Sequence, residues 1–248
     1  MDAYAAALEA SLRAGASKAA GYTVDTVYFG GGTPSFFGAP RLAALLETVA
    51  ACYDVAPDAE ITAEANPESA RDVNALRTLR RAGFNRVSLG MQSTDDAELR
   101  AVGRIHTAAD TAVAVDAARR AGFDNLSLDL IYGLPGQTRE RWRENLAAAV
   151  ALAPEHLSCY GLKVEPGTPL ERWVRQGSFT VPGAADVLRE TEIFLHYIDS
   201  EGSVFRMNHA SNYLTLKGTL NADKPALLER VHKGMLGQGL RPAYLRAL

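Results

Sequence analysis

Cysteine is scarce in this sequence, since the 248 residues include only Cys52 and Cys159. Two thiols cannot build a disulfide framework, and cysteines this far apart do not have the spacing of a metal-ligand motif. We therefore expect two ordinary thiols, buried or half-buried.

Long apolar runs and an excess of basic charge are also missing. No segment approaches the roughly 20 apolar residues of a membrane-spanning helix, and the N-terminus lacks a basic segment followed by an apolar core. The net charge is -3 and the pI is near 6.0, with lysines and arginines dispersed along the chain, which argues against a nucleic-acid partner. These features predict a soluble, cytoplasmic protein with no membrane span.

The sequence does contain enough apolar residues, 47%, for one sizeable core. Periodicity predicts an amphipathic helix over 2–18 and a strand over 25–29. Further strand-like runs recur near residues 61, 86, 126 and 156, with helical patterns between them. This repeat predicts an α/β fold with a parallel sheet, and the pattern alone is compatible with both an open doubly wound sheet and a partial (β/α) barrel.

The regular alternation weakens after about residue 166. We predict a short helix over 169–176 and a longer one over 184–198, and no strand-helix repeat is legible from Glu201 onward. The tail is either a separate small element or a different packing layer. We therefore divide the chain into a core over 1–180 and a helical or irregular extension over 181–248.

Glycine or polar groups follow four of the apolar runs. They are Gly30–Pro34 after TVYF, Glu64 after EITA, Gln92 after RVSLGM and Asp129 after NLSL. In parallel α/β folds the loops at the carboxyl ends of the strands converge and carry the binding site. The sequence therefore predicts an enzyme-type pocket at this end of the sheet.

Each group alone has a simpler alternative. Gly30–Gly32 lets the backbone approach a small polar ligand, or forms a tight turn that binds nothing, and it matches neither the dinucleotide nor the P-loop fingerprint. Glu64 and Asp129 would be costly in apolar segments unless they bind ligand hydroxyls or amines, form a salt bridge or cap a helix. Gln92 is compatible with a simple backbone contact, and Arg104 either binds a carboxylate by two bonds or lies on the surface.

Together these segments carry a resemblance that none carries alone. YFGGGTP, ITAEANPE, RVSLGMQS, LRAVGRIHT and NLSLDLIYGLPGQT, over roughly residues 20–180, resemble the radical S-adenosylmethionine family that includes anaerobic coproporphyrinogen III oxidases and HemW-type heme chaperones. Gly90–Ser93, Gly103–His106 and Val164–Leu170 are similar to the chaperone branch. The resemblance implies a partial (β/α) barrel of the radical SAM type, whose first strand is missing from the chain as written.

The resemblance also implies a cofactor site. In that family the glycine-rich loop contacts the methionine part of S-adenosylmethionine, and other positions contact the rest of the molecule. Arg104 matches the residue that pairs with the methionine carboxylate, and Asp129 matches one that holds ribose. The implied S-adenosylmethionine contacts are Gly31, Gly32, Thr33, Glu64, Gln92, Arg104 and Asp129.

Two departures from the family limit these expectations. The Cys-x-x-x-Cys-x-x-Cys loop that holds a [4Fe–4S] cluster in the family is not found, and neither Cys52 nor Cys159 stands at a matching position. We therefore expect no catalytic or metal-ligating residues in this chain and no reductive cleavage of S-adenosylmethionine. The heme motif of the chaperones is replaced by a segment around His209, and a lone histidine in a polar segment is more often exposed or hydrogen-bonded than a heme ligand.

Three functions remain open at this point. The first is a heme chaperone-like protein that binds heme or a porphyrin and delivers heme to an accepting protein. The second is an oxygen-independent coproporphyrinogen III oxidase-like enzyme of porphyrin biosynthesis, which would require the cluster. The third is an inactive remnant that keeps the pocket without the chemistry.

Overall fold

The computed structural model describes residues 1–246, and it has the strands and helices of an α/β protein. The strands are β1 (Thr23–Phe29), β2 (Asp54–Ala65), β3 (Arg86–Gln92), β4 (Leu126–Tyr132), β5 (His156–Gly161), β6 (Val204–Met207) and β7 (Leu216–Thr219). The helices are α1 (Asp2–Gly15), α2 (Ala39–Cys52), α3 (Val73–Ala82), α4 (Asp96–Ala101), α5 (Ala108–Arg120), α6 (Arg139–Ala151), α7 (Pro169–Arg175), α8 (Ala184–Tyr197) and α9 (Lys224–Met235). The predicted alternation of strands and helices is confirmed.

The chain divides into two compact units, which we describe separately. Unit 1 comprises residues 1–90 and 109–126, and unit 2 comprises residues 91–108 and 127–248. Within each unit the strands are neighbours in chain order.

Unit 1 contains a parallel sheet in which β2 pairs with both β1 and β3. Helix α3 begins at Asp72, whose carboxylate accepts a hydrogen bond from the Asn74 amide. It ends at Gly83, which has a left-handed φ of 114° that favours glycine. Phe84 follows directly, is fully buried, and packs on Phe29 with ring centroids 5.0 Å apart. The segment Ala82-Gly83-Phe84 therefore ends a helix and begins a core contact.

Unit 2 contains β4, β5 and β6 in parallel and β7 antiparallel to β6. Its core is apolar and includes Leu128, Leu130, Leu157, Leu195 and Phe205. The two short strands β6 and β7 and the helix α9 lie in the tail, where the sequence pattern gave no strand-helix repeat. β6 extends the parallel ladder of β5 through the pairs His156↔Val204, Leu157↔Phe205 and Ser158↔Arg206. The division of the chain at residue 180 stays a prediction.

Among the described residues, no helix has both the length and the apolar character needed to cross a bilayer.

Candidate functional site

The glycine-rich loop of unit 1 follows β1 directly. Gly31 and Gly32 have φ values of 80° and 75°, a region in which residues with a Cβ atom are strained. A Cβ atom added to either glycine would meet no heavy atom within 4 Å. The backbone of Gly31 and Gly32 therefore borders open space, as a loop that receives a ligand must.

Glu64 lies beside the start of this loop. It is the penultimate residue of β2, and its carboxylate accepts a hydrogen bond from the Tyr28 hydroxyl on β1. A Cβ atom added to Gly30 would lie 3.0 Å from Glu64 Oε2 and 2.6 Å from Tyr28 Cε1. A larger residue at position 30 would have to displace the Glu64 and Tyr28 side chains, since the loop backbone runs in contact with both.

Thr33 is held to the end of β2 by Asn66. The Asn66 side-chain amide donates to Thr33 Oγ1 at 3.2 Å, and the Asn66 carbonyl accepts from the Ser69 hydroxyl at 2.8 Å. The Ser69 hydroxyl is also 2.5 Å from that of Ser35, just beyond the loop. Unit 1 thus brings Thr33 and the loop glycines to the same strand ends as Glu64.

Gln92 ends β3 and belongs to unit 2. It is 7% exposed, and its φ of 63° is a left-handed conformation that a non-glycine residue seldom adopts. The Ser93 amide donates to the Met91 carbonyl at 2.7 Å, which closes a tight turn around Gln92. Such strain persists only where neighbouring contacts impose it, and it is concentrated at functional sites.

A buried polar cluster binds Ser93 and Thr94, the two residues that follow Gln92. Glu98 on α4 is 1% exposed, and its Oε2 accepts from Ser93 Oγ at 2.6 Å, Gln137 Nε2 at 2.9 Å and Asn145 Nδ2 at 3.2 Å. The side-chain oxygen Oδ1 of Asn145 accepts from the Thr94 main-chain amide at 2.8 Å. The sequence gave no sign of this cluster, because Glu98 sits in a helix, DAELRA, that looks like a surface element.

Arg104 is half-buried on the loop after α4. Gly103 before it has a φ of 73°, and the Arg104 amide donates to the Leu99 carbonyl at 2.9 Å. Two residues later His106 is buried, and its Nε2 donates to the Met91 carbonyl at 3.2 Å. This contact fastens the Arg104 loop to the strand end that carries Gln92.

Asp129 corrects one expectation of the sequence analysis. It is the fourth of seven residues in β4 and is not at the strand end, because the ladder with β5 continues from Asp129↔Ser158 to Tyr132↔Gly161. Its carboxylate is half-buried, and Ser127 Oγ lies 3.5 Å away. The assignment of Gly31, Gly32, Thr33, Glu64, Gln92, Arg104 and Asp129 to S-adenosylmethionine stays a prediction.

A cavity of about 220 Å³ lies where β4 and β5 end in unit 2. Its lining includes Tyr132 and Tyr213 together with the cationic side chains of Lys163 and Arg246. The Lys163 ammonium contacts the Glu165 carboxylate at 2.7 Å, and the Arg246 guanidinium lies 4.1 Å from the centre of the Tyr213 ring. A cavity with aromatic walls and two cations suits a flat apolar molecule that carries carboxylates.

Residues of the C-terminal tail form hydrogen bonds to the ends of β4 and β5 in unit 2. Asn212 is fully buried; its Oδ1 accepts from the Tyr132 hydroxyl at 2.7 Å and the Gly161 amide at 2.9 Å, and its Nδ2 donates to the Cys159 carbonyl at 2.9 Å. His209 Nδ1 accepts from the Ser211 amide at 3.2 Å. Burial, with the nearby Arg241 and Lys163, lowers the pKa of His209. His209 is thus hydrogen-bonded, the alternative that the sequence favoured.

The two cysteines do not fit a [4Fe–4S] cluster. Cys52 is the last residue of α2 in unit 1, whereas Cys159 lies in β5 of unit 2 and is 4% exposed. Burial, reinforced by the Asp129 carboxylate, raises the pKa of the Cys159 thiol. A cluster site needs several thiolates at suitable spacing, and this pair does not provide them.

Comparison with known proteins adds family evidence to this geometry. The profile of the Radical SAM superfamily matches residues 8–149. The heme chaperone HemW of Mycobacterium tuberculosis is 45% identical over 181 residues, which is 73% of this chain and 46% of that protein. The chain therefore spans about half the length of the curated relatives it matches.

Solved structures similar to this chain include a member of the same superfamily. The radical SAM enzyme coproporphyrinogen III oxidase (HemN) from Escherichia coli aligns with a TM-score of 0.66 and 31% identity, covering 79% of this chain and 45% of that one. The archaeal Elp3 of Methanocaldococcus infernus aligns with a TM-score of 0.69 at 18% identity, covering 94% and 60% of the two chains, which shows the fold alone. The predicted α/β fold of the partial radical SAM barrel class is confirmed, and this chain belongs to the radical S-adenosylmethionine superfamily.

Proposed function

We propose that this chain is a heme chaperone-like protein that binds S-adenosylmethionine and heme and delivers heme to an accepting protein. Curated relatives named heme chaperone HemW, at 33% to 45% identity, support this choice. The observation that carries the proposal is the glycine loop after β1, which is open at Gly31 and Gly32 and runs in contact with the Glu64 carboxylate at Gly30.

In the proposal, Gly31, Gly32, Thr33 and Glu64 contact S-adenosylmethionine, as the resemblance to the superfamily implies. Backbone groups of a left-handed glycine pair can approach an amino-acid moiety closely, and the Glu64 carboxylate can accept from its ammonium group. The same resemblance assigns Gln92, Arg104 and Asp129 to this cofactor. The Arg104 guanidinium suits the methionine carboxylate, and the Asp129 carboxylate can accept hydrogen bonds from ribose hydroxyls.

Isothermal titration with S-adenosylmethionine tests these contacts. Glu64→Gln removes the charge that would bind the ammonium group, and Glu60→Gln is its matched control on the same strand, where Glu60 binds Arg86 at 3.3 Å. We expect Glu64→Gln and Asp129→Asn to weaken binding by at least about tenfold and Glu60→Gln to leave it unchanged, since a charge-assisted hydrogen bond contributes about 1.5–3 kcal/mol. Equal affinities in all four proteins would refute the assignment.

In the superfamily S-adenosylmethionine is used together with a [4Fe–4S] cluster, which supplies an electron for radical chemistry. The cysteines of this chain do not fit that cluster, so the proposed function contains no radical step. It rests on binding and transfer.

The cavity at the ends of β4 and β5 supports the heme part of the proposal for the propionate-bearing edge only, because about 220 Å³ does not hold the whole macrocycle. Arg246 can pair with a propionate there, and Lys163 can do so by exchanging its partner Glu165. An absorbance titration with heme tests it. We expect a Soret shift, weaker binding in Lys163→Ala and Arg246→Ala, and unchanged binding in Lys217→Ala, an exposed lysine on β7. Transfer of bound heme to an apo-hemoprotein is then followed by the same band. If heme does not bind, the chaperone function is wrong.

The likeness to coproporphyrinogen III oxidase favours a second candidate, an enzyme-type porphyrinogen site. The same titration with coproporphyrin III, the oxidised and coloured form of that substrate, separates the two. Preference for the four-carboxylate ligand over heme would favour the oxidase-like function. Binding of neither porphyrin nor S-adenosylmethionine would leave the inactive remnant.

A further inference from the structure

We propose that Glu192, His196 and His232 bind one divalent metal ion of the Zn²⁺ type on the surface of unit 2. One oxygen of Glu192 and one ring nitrogen from each histidine all lie within 4.8 Å of one another. This site is independent of the glycine loop, of the heme cavity and of the two cysteines.

The helices α8 and α9 create this arrangement. Glu192 and His196 are four residues apart on α8 and therefore share one face, one turn apart. His232 extends from α9, and its Nε2 is already 2.7 Å from Glu192 Oε1. The three side chains thus come from two packed helices and converge at a single point.

The packing beneath the cluster holds the two helices at a fixed spacing. Helices α8 and α9 pack against each other, and their buried residues include Leu188 and Leu195 of α8 and Leu227, Val231 and Gly234 of α9. A Cβ atom added to Gly234 would lie 2.6 Å from Leu214 Cδ1 and 3.3 Å from Leu188 Cδ1. Because glycine allows this close approach, His232 is brought within reach of α8 by the backbone itself.

The ligand set selects the class of ion. Two imidazoles and one carboxylate suit Zn²⁺ and related transition metals, whereas Mg²⁺ and Ca²⁺ prefer oxygen ligands alone. In a tetrahedral zinc site with bonds of about 2.0–2.1 Å, neighbouring ligand atoms are about 3.3 Å apart. In the structure the three ligand atoms lie within 4.8 Å of one another, so side-chain rotations that shorten these distances by up to about 1.5 Å would close the site. Three protein ligands leave the fourth position to water.

Charge at the site is compatible with a cation. The Lys233 ammonium beside His232 is turned to Glu229 on its own helix, at 2.6 Å. The half-buried Glu192 carboxylate supplies the negative charge, with a side-chain exposure of 27%. His196 and His232 are exposed, so an ion can enter from solvent without opening the fold.

Titration of the chelator-treated chain with ZnCl₂ alone, at mildly alkaline pH where imidazole is neutral, tests the proposal. We expect one ion per chain and at least about tenfold weaker binding in His196→Ala, His232→Ala and Glu192→Gln. The matched controls are His209→Ala, a histidine elsewhere in unit 2, and Glu229→Gln, a carboxylate on α9; both should bind like the wild type. Excess Mg²⁺ should not displace the ion.

Thermal denaturation provides a second readout, because an ion that binds only the folded chain raises Tm. The rise should occur with the wild type and both controls and vanish in His232→Ala. Absence of zinc binding, or equal zinc affinity in the triad and control variants, would overturn the proposal and leave Glu192 and His232 as a surface ion pair.

Discussion

Loss of the Glu98 carboxylate should be the most damaging single change near the candidate site. Glu98 is 1% exposed and accepts three side-chain hydrogen bonds through one oxygen, two of them from Ser93 and Asn145, which are themselves 0% and 1% exposed. Glu98→Ala removes the acceptor of all three donors, at about 1–3 kcal/mol each. Ser93 and Gln137 keep only long contacts, to Asn145 Oδ1 at 3.4 Å and to the Ile131 carbonyl at 3.5 Å. Allowing for relaxation, we expect a loss of about 3–5 kcal/mol in the free energy of unfolding.

Glu98→Gln keeps the shape and one acceptor oxygen, so it should cost only about 1–2 kcal/mol, because charge-assisted hydrogen bonds are roughly twice as strong as neutral ones. This variant keeps the test informative if Glu98→Ala does not fold. Glu144→Ala, on the exposed side of α6, is the control and should change stability by less than about 0.5 kcal/mol.

Urea denaturation followed by tryptophan fluorescence measures these losses. Trp142 is a local reporter, since it is 4% exposed on α6, the helix that carries Asn145, and its ring lies 6.0 Å from that of Tyr132. We also expect weaker S-adenosylmethionine binding in Glu98→Gln, because Glu98 binds Ser93, the residue directly after Gln92. A Glu98→Ala protein within about 1 kcal/mol of the wild type would refute the account of this cluster.

Three further predictions follow from the same geometry. Gly32→Ala should destabilise the chain by about 1–2 kcal/mol through its φ of 75° and lower S-adenosylmethionine affinity, as urea denaturation and calorimetry would show; an unchanged protein would contradict the strained loop. Asp95→Ala should cost about 1 kcal/mol at neutral pH by removing the cap of α4, whereas Asp95→Asn should keep most of it. The hydrogen bond from the Glu98 amide, followed by that from Ala97 and the charge of Arg141, lowers the pKa of Asp95 below its ordinary value of 3.8. The charged carboxylate therefore contributes stability above that value, and the advantage of Asp95 over Asp95→Asn should fade as pH falls through the folded pKa. A constant difference in stability at all pH values would count against this prediction. In the folded protein a disulfide reagent should modify Cys52 and leave Cys159 unmodified until denaturant is added, because Cys159 is 4% exposed and its thiol has a raised pKa. Rapid reaction of both thiols would contradict the burial of Cys159 in β5.

Sequence periodicity predicted β1 to β5 and the helices α1–α3 and α5–α8, because most of these have a regular apolar pattern. It did not predict α4, which has only six residues. It missed β6 and β7, which are four residues each, VFRM and LKGT, and too short to show alternation. What makes VFRM a strand is its pairing with β5, a tertiary contact that local pattern does not encode.

The same limit applies to the candidate site. The positions of Glu64 and Gln92 at or next to strand ends followed from the pattern, because apolar runs stop where ladders stop. Asp129 did not follow, since the pairing of β4 with β5 continues past a polar residue to Tyr132. The burial of Glu98 did not follow either, because it depends on Asn145 and Gln137, about 40 or more residues away in the chain.

A crystal structure of this chain grown with saturating S-adenosylmethionine tests the central claim most directly. The account predicts the methionine part of the ligand against the backbone of Gly31–Thr33 and near Glu64, with Arg104 on its carboxylate and Asp129 on ribose. A crystal in which the glycine loop binds no ligand at saturating concentration, or in which S-adenosylmethionine lies away from these residues, would contradict it.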